Sequence, residues 1–158
     1  MLAVDPPWRQ SHLTRFSNMA GVVQEWDSFI CAMAATIDQS GFELIYIKCG
    51  LPELPEWEFM LKGKRIVSWV TKYAGGVNAQ LLASDSIDVS KCDQDSHSLV
   101  ATSSVARFAR LNGIKSVIDV CVGKGKMLKK FQQEGMSVAG IELCESRARE
   151  AAKRLGVV

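Results

Sequence analysis

The chain opens with a group of residues able to hold an aromatic amine, Asp5-Pro6-Pro7-Trp8. An exocyclic amine on an aromatic ring is a weak nucleophile, because its lone pair is delocalised into the ring. A protein can activate it by accepting hydrogen bonds from both of its N–H groups. An ionised Asp5 carboxylate accepts one of them. The Pro6 carbonyl, whose direction two successive prolines restrict, accepts the other. Trp8 supplies a flat face on which a base taken out of its helix can stack.

A second group able to do chemistry is Asp119-Val120-Cys121-Val122-Gly123-Lys124-Gly125, at the end of a predicted strand. Glycine is needed where a turn has unusual dihedrals and a ligand approaches the backbone. Glu142 follows 23 residues after Asp119, close to the spacing at which an acidic side chain binds ribose hydroxyls. The unit therefore predicts a nucleoside site. A nicotinamide site is disfavoured, because Leu128 stands where a third glycine is expected. The alternative is a βαβ unit whose glycines only allow close packing, with Glu142 on the surface.

The rest of the pattern predicts the elements that position these two groups. Short runs of apolar residues predict strands over 2–4, 42–48, 65–71, 79–83, 116–120 and 138–143. Helical spacing predicts helices over 22–37, 54–61, 103–111, 126–133 and 145–155, with 9–21 and 84–98 as loops. In helix 103–111 we expect Val105, Phe108 and Leu111 to face inward. Strands alternating with helices predict a mostly parallel sheet covered on both faces.

Such a sheet can join positions that are distant in sequence. Ligands bind beyond the carboxyl ends of its strands, where the strand order reverses. Asp5 and Asp119 both stand at such ends, 114 residues apart. We therefore expect them to face one crevice.

Two stretches resemble known methyltransferases. Residues 116–155 resemble motif I, and the segment after it, of S-adenosylmethionine-dependent methyltransferases. Residues 5–8 match the (Asp/Asn/Ser)-Pro-Pro-aromatic motif of the N6-adenine and N4-cytosine enzymes. The amine motif comes first here, as in the circularly permuted DNA amino-methyltransferases, which tolerate Phe or Cys where the unpermuted pattern has a glycine and this chain has Cys121. The resemblance implies an α/β fold: a Rossmann-like class I methyltransferase sheet, circularly permuted, with helices on both faces.

The resemblance also implies an activity: transfer of a methyl group from S-adenosylmethionine to the N6 amine of a flipped adenine in DNA. Asp5, Pro6, Pro7 and Trp8 are the implied catalytic residues. The implied cofactor-binding residues are Asp119, Val120, Cys121, Gly123, Gly125, Glu142, Leu143 and His97, although His97 also fits a plain loop residue. Asp with Trp in the first motif favours adenine. The alternatives are an N4-cytosine, RNA or small-amine methyltransferase, or a catalytically silent methyltransferase-like partner subunit.

Size and composition set further expectations. A chain of 158 residues predicts one domain, with a catalytic half over 1–83, a cofactor-binding half over 99–158 and a polar loop over 84–98 between them. A net charge of +2 neither requires nor excludes nucleic acid. Five cysteines without a C-x-x-C pair predict reduced thiols and no metal site. The sequence has neither a membrane-spanning apolar run nor a signal peptide, so we expect a cytoplasmic protein.

The resemblance to permuted DNA methyltransferases also implies a target-recognition region of many tens of residues, and this sequence has no segment of that length for it. Only 9–21, 50–64 and 74–98 are available to read a DNA sequence. The sequence therefore predicts either relaxed target choice, as in small phage-borne enzymes, or recognition supplied by a partner. Homo-oligomerisation stays open.

Overall fold

Six strands form one sheet in the computed structural model of the chain, which describes residues 1–7, 10–21 and 25–157. In chain order they are β1 (Leu2–Val4), β2 (Ile45–Cys49), β3 (Arg65–Tyr73), β4 (Gly76–Ser84), β5 (Ser116–Asp119) and β6 (Ser137–Gly140). Their order across the sheet is β3-β4-β2-β1-β5-β6. Neighbours among β2, β1, β5 and β6 are parallel, whereas β4 runs antiparallel to β2 and β3. The predicted mostly parallel α/β sheet is confirmed, with an antiparallel hairpin at one edge.

Helices cover both faces of the sheet, as predicted. They are α1 (Gln10–Ala20), α2 (Trp26–Ser40), α3 (Leu54–Met60), α4 (Ser98–Leu111), α5 (Lys126–Gln133) and α6 (Glu145–Leu155). Side chains alternate between faces along a strand. Leu2 and Val4 of β1 accordingly pack in one cluster with α2 and α3, while Ala3 packs in the other with α4, α5 and α6. No helix in the described ranges is long and apolar enough to cross a bilayer.

The segment around the glycine turn folds as its local sequence predicts. Helices α5 and α6 begin and end at the predicted residues. Gly125 precedes α5 and Gly156 follows α6, and both have left-handed backbone angles (φ 72° each) that glycine adopts without strain. Helix α2 ends at the predicted Ser40-Gly41 stop. Its predicted first residues, 22–24, lie outside the described residues.

The sequence predictions for three elements, α1, α4 and β6, are wrong in part or in full. Residues 10–20, predicted as a loop, form α1, which buries Leu13 and Ser17 one turn apart. Helix α4 begins five residues before the predicted start, because polar Ser98 and Thr102 in its first turns are buried and hydrogen-bonded, which hides the helical pattern. Its Leu111, predicted to face inward, is 67% exposed.

The third error concerns β6, which ends at Gly140 rather than at residue 143. Gly140 packs so closely that a Cβ there would lie 2.1 Å from a Val122 methyl. The Ile141 N–H donates to the Asp119 carbonyl at 2.8 Å, and the chain then leaves the sheet. Glu142 and Leu143 therefore lie in the loop that leads to α6.

Candidate active site

Two neighbouring parallel strands bring the two sequence motifs to one edge of the sheet. Ala3 of β1 lies opposite Asp119 of β5, so the chain leaves both strands at the same carboxyl edge. The strand order reverses here, because β2 lies on one side of β1 and β5 on the other. This is the position at which open α/β sheets bind ligands. The expected common crevice is therefore present in the described part of the chain.

A cavity of about 460 Å³ opens at this edge, within the range of about 300–1,000 Å³ typical of small-ligand sites. The predicted site residues in its wall are Asp5, Pro6, Pro7, Val120, Cys121, Gly123, Glu142 and Leu143. Helices add a further set, which includes His12, Ser17, Phe29, Lys126, Met127 and Arg147. Trp8 lies outside the described residues.

Asp5 pairs with a lysine that sequence reasoning did not single out. Val4 lies opposite Ile47 in the parallel β1–β2 register, so the next residues along the two chains, Asp5 and Lys48, are neighbours. The Lys48 Nζ lies 3.6 Å from the Asp5 Oδ2. The available signal was a single charged residue within the otherwise apolar run Ile45–Cys49.

The two glycines of the turn have different roles. Gly123 (φ 56°) and Gly125 (φ 72°) both occupy the left-handed region. Gly123 lines the cavity, but Gly125 does not. A Cβ on Gly125 would lie 3.1 Å from the Ala151 Cα. Gly125 therefore allows α6 to pack against the turn, and its contact with a cofactor stays a prediction.

Glu142 joins the glycine turn to the start of α6. Its Oε2 accepts a hydrogen bond from the Gly123 N–H at 2.8 Å, and its Oε1 accepts one from the Cys144 N–H at 2.8 Å. An ionised carboxylate has about four lone-pair sites, so hydroxyl groups can still donate to it. The carboxylate thus has a fixed orientation on the cavity wall.

Asp119 lies behind this wall rather than in it. The side chain is fully buried, and its Oδ1 accepts the Cys121 N–H at 2.9 Å. Its Oδ2 has no hydrogen-bond partner among the described residues. Burial, with the charges of Asp5 and Glu142, raises the pKa of Asp119 to about 7, against the opposing effects of the Cys121 N–H and Lys48. Near neutral pH this carboxyl therefore exists in both protonation states.

The structure places His97, a predicted cofactor-binding residue, away from the cavity. Because α4 starts at Ser98, His97 is the residue that precedes the helix, and its backbone pairs with Lys72 of β3 at the other edge of the sheet. Its side chain is exposed and does not line the cavity.

The cavity residues that sequence reasoning missed have two origins. His12 and Ser17 belong to α1, which was predicted as a loop, so their arrangement on a helix could not be read. Arg147 lies in the first turn of α6, and the predicted helix that closely follows Glu142 was itself a usable signal.

Comparisons with known proteins establish the fold. No protein-family model and no curated protein sequence matches this chain. Among solved structures, M1.HpyAVI in complex with SAM is 15% identical with a TM-score of 0.63, over 99% of this chain and 88% of that one. TTHA0409, a candidate DNA modification methylase from Thermus thermophilus, complexed with S-adenosyl-L-methionine, is 13% identical with a TM-score of 0.64, over 98% of this chain and 85% of that one. The chain therefore has the Rossmann-like fold of class I methyltransferases.

Proposed function

We propose that this protein transfers a methyl group from S-adenosylmethionine to an exocyclic amine of DNA, with N6 of adenine as the acceptor. The observation that carries the proposal is the common cavity of Asp5, Pro6 and Pro7 with Gly123 and Glu142. Methyl transfer requires the amine and the nucleoside-type donor to be in contact, so the residues that bind each of them must line the same cavity.

The wall chemistry fits the donor. Glu142 is an oriented acceptor for ribose hydroxyls, and the apolar Ile141 and Leu143 on either side of it in the wall suit a purine ring. Gly123 adds no side chain to obstruct the ligand. The cofactor would supply a methyl group on a positively charged sulfur, and the Asp5 and Glu142 carboxylates in the cavity wall are groups of opposite charge.

The acceptor is activated by position rather than by a strong base. The Asp5 carboxylate and the Pro6 carbonyl each accept a hydrogen bond from one amine N–H. This pair of hydrogen bonds turns the nitrogen lone pair toward the methyl carbon. Bound S-adenosylmethionine would supply the methyl group, with its neutral thioether as the leaving group, and the methylated amine would release one proton to solvent. The rate gain therefore comes from alignment and local electrostatics.

The order of the two motifs supports a circularly permuted arrangement. The amine-binding residues 5–7 precede the segment 116–155 along the chain, yet their strands, β1 and β5, are neighbours in the sheet. The choice of DNA draws on TTHA0409, whose assigned role is DNA modification, and the choice of adenine draws on Asp5-Pro6-Pro7-Trp8.

The direct test is incubation with labelled S-adenosylmethionine and DNA, RNA or no acceptor, followed by nucleoside identification. We expect label in N6-methyladenine from DNA. Label in N4-methylcytosine or in RNA would overturn the substrate assignment. No cofactor binding by calorimetry would overturn the activity and favour a silent subunit.

The Asp5→Ala substitution tests the role of the Asp5 carboxylate in holding the amine. We expect methyl transfer to fall by at least about 100-fold, because the amine loses its charged acceptor, while the cofactor still binds. Asp85→Ala is the matched control, since Asp85 is also an aspartate paired with a lysine (Lys64) but is 63% exposed and does not line the cavity. Parental turnover in Asp5→Ala would refute the assigned role.

A further inference from the structure

The Asp5 carboxylate can align an amine only if its own orientation is fixed. Asp5 follows a strand of three residues and has a side chain that is 36% exposed. The Lys48 ammonium lies 3.6 Å from its Oδ2, and the Lys48 side chain is only 13% exposed. The partner is thus the more buried and better held member of the pair.

Lys48 is held by the sheet. It occupies the fourth position of β2, between β1 and β4, with Ile47 opposite Val4 on one side and Gln80 opposite Lys48 on the other. Two hydrogen-bonded neighbours fix its backbone, whereas Asp5 begins a loop. A fixed cation beside a loop carboxylate sets the direction of the carboxylate.

The charges around Asp119 also indicate that Lys48 orients Asp5. Asp119 is influenced by the negative charges of Asp5 and Glu142 and by the positive charge of Lys48. Lys48 is therefore the counter-charge shared by the carboxyl groups at the ends of β1 and β5. Without it, mutual repulsion would turn the more exposed carboxylate, Asp5, toward solvent.

We infer that Lys48 is a positioning residue for the transfer reaction, holding the Asp5 carboxylate in the orientation that receives the acceptor amine. This inference rests on the proposed function. The Asp5 carboxylate can pair with the Lys48 ammonium at 3.6 Å and still accept a hydrogen bond from an amine, because its two oxygens offer about four lone-pair sites. Lys48 acts through Asp5 and does not touch the reacting atoms.

The test compares Lys48→Met, which keeps the aliphatic stem without the charge, with Lys48→Arg, which keeps the charge. We expect Lys48→Met to lower kcat by about 10- to 100-fold, as misplacement of a catalytic group by about 1 Å can do. The Kd for S-adenosylmethionine should stay within about twofold of the parent. Lys48→Arg should recover most of the lost turnover. Lys64→Met is the matched control, since it removes a lysine paired with an aspartate outside the cavity.

A double-mutant cycle separates positioning from a general structural effect. If Lys48 acts only through Asp5, Lys48→Met should reduce the residual turnover of Asp5→Asn no further. An equal additional loss in that background, or parental kcat in Lys48→Met, would overturn the inference while leaving the proposed function intact. If Lys48→Met melts early, the same comparison is made with Lys48→Gln below its melting temperature. No transfer by the parent protein would overturn the proposed function and this inference together.

Discussion

Replacing Asp119 with asparagine should remove a loss of stability that the parent protein undergoes between pH 5 and pH 7. The carboxyl is fully buried, its Oδ1 accepts the Cys121 N–H, and its Oδ2 has no partner among the described residues. Asparagine keeps the shape and the Oδ1 acceptor but cannot ionise. The variant therefore removes one buried negative charge and changes little else.

The magnitude follows from the pKa of Asp119, which burial raises from 3.8 to about 7. Between these values the folded protein binds a proton that the unfolded chain has released. The stability of the parent protein therefore falls as pH rises through this window, and it levels off above about 7. From pH 5 to pH 7 the loss is roughly 2.3 kcal/mol, somewhat less than two pH units at about 1.36 kcal/mol each, because Asp119 is already half ionised at pH 7. The Asp119→Asn variant would not show this loss, because its amide does not titrate.

Urea unfolding of both proteins at pH 5, 6, 7 and 8, without cofactor, measures the effect. The stability of the variant minus that of the parent should grow by roughly 2.3 kcal/mol from pH 5 to pH 7 and by only about 0.4 kcal/mol more from pH 7 to pH 8. Any cost of placing an amide N–H₂ at the Oδ2 position is independent of pH and drops out of this change. A stability difference that is flat between pH 5 and pH 8 would show that Asp119 is ionised throughout and that its burial has been misjudged.

Two further substitutions test the wall of the cavity. Glu142→Gln leaves one oxygen for two backbone N–H donors, so we expect a loss of about 1–3 kcal/mol in unfolding free energy and a higher calorimetric Kd for S-adenosylmethionine; unchanged values for both would show that the double contact is not formed. Gly125→Ala combines a left-handed φ with a 3.1 Å approach to Ala151, whereas Gly113→Ala has the unfavourable φ alone. We expect the first to be more destabilising, by about 1–3 kcal/mol, and equal melting temperatures would argue against close packing of α6 on the turn.

The sequence predicted the fold where local signals agree. The run from Ser116 to Gly156 has strands of apolar residues, glycines at the turns and two amphipathic helices, and the bounds of α5 and α6 follow from it. The expectation that Asp5 and Asp119 share one crevice needed the fold implied by the resemblance to permuted methyltransferases, because alternation of strands and helices alone does not fix which strands are neighbours. The joint cavity then follows from topology rather than from any contact that can be read along the chain.

The misplaced residues depend on tertiary contacts. Lys48 is brought to Asp5 by the β1–β2 register, and the residues near Lys48 in the sequence do not indicate that Asp5 is its partner. His97 lies away from the cavity because buried polar residues extend α4 back to Ser98 and the His97 backbone pairs with β3. The place of Gly125 is decided by Ala151 on another helix.

The β3–β4 hairpin has a consequence for the shape of any partner. It continues three residue pairs past Cys49, the last residue of β2, on the same side as the strand ends that carry the cavity. At about 3.3 Å per residue the overhang is roughly 10 Å. The edge of the sheet near Asp5 is therefore stepped. Under the proposed function, a DNA duplex would meet the hairpin tip before it reached the Asp5 carboxylate. A base rotated out of the duplex would extend past that step, whereas a stacked base would not.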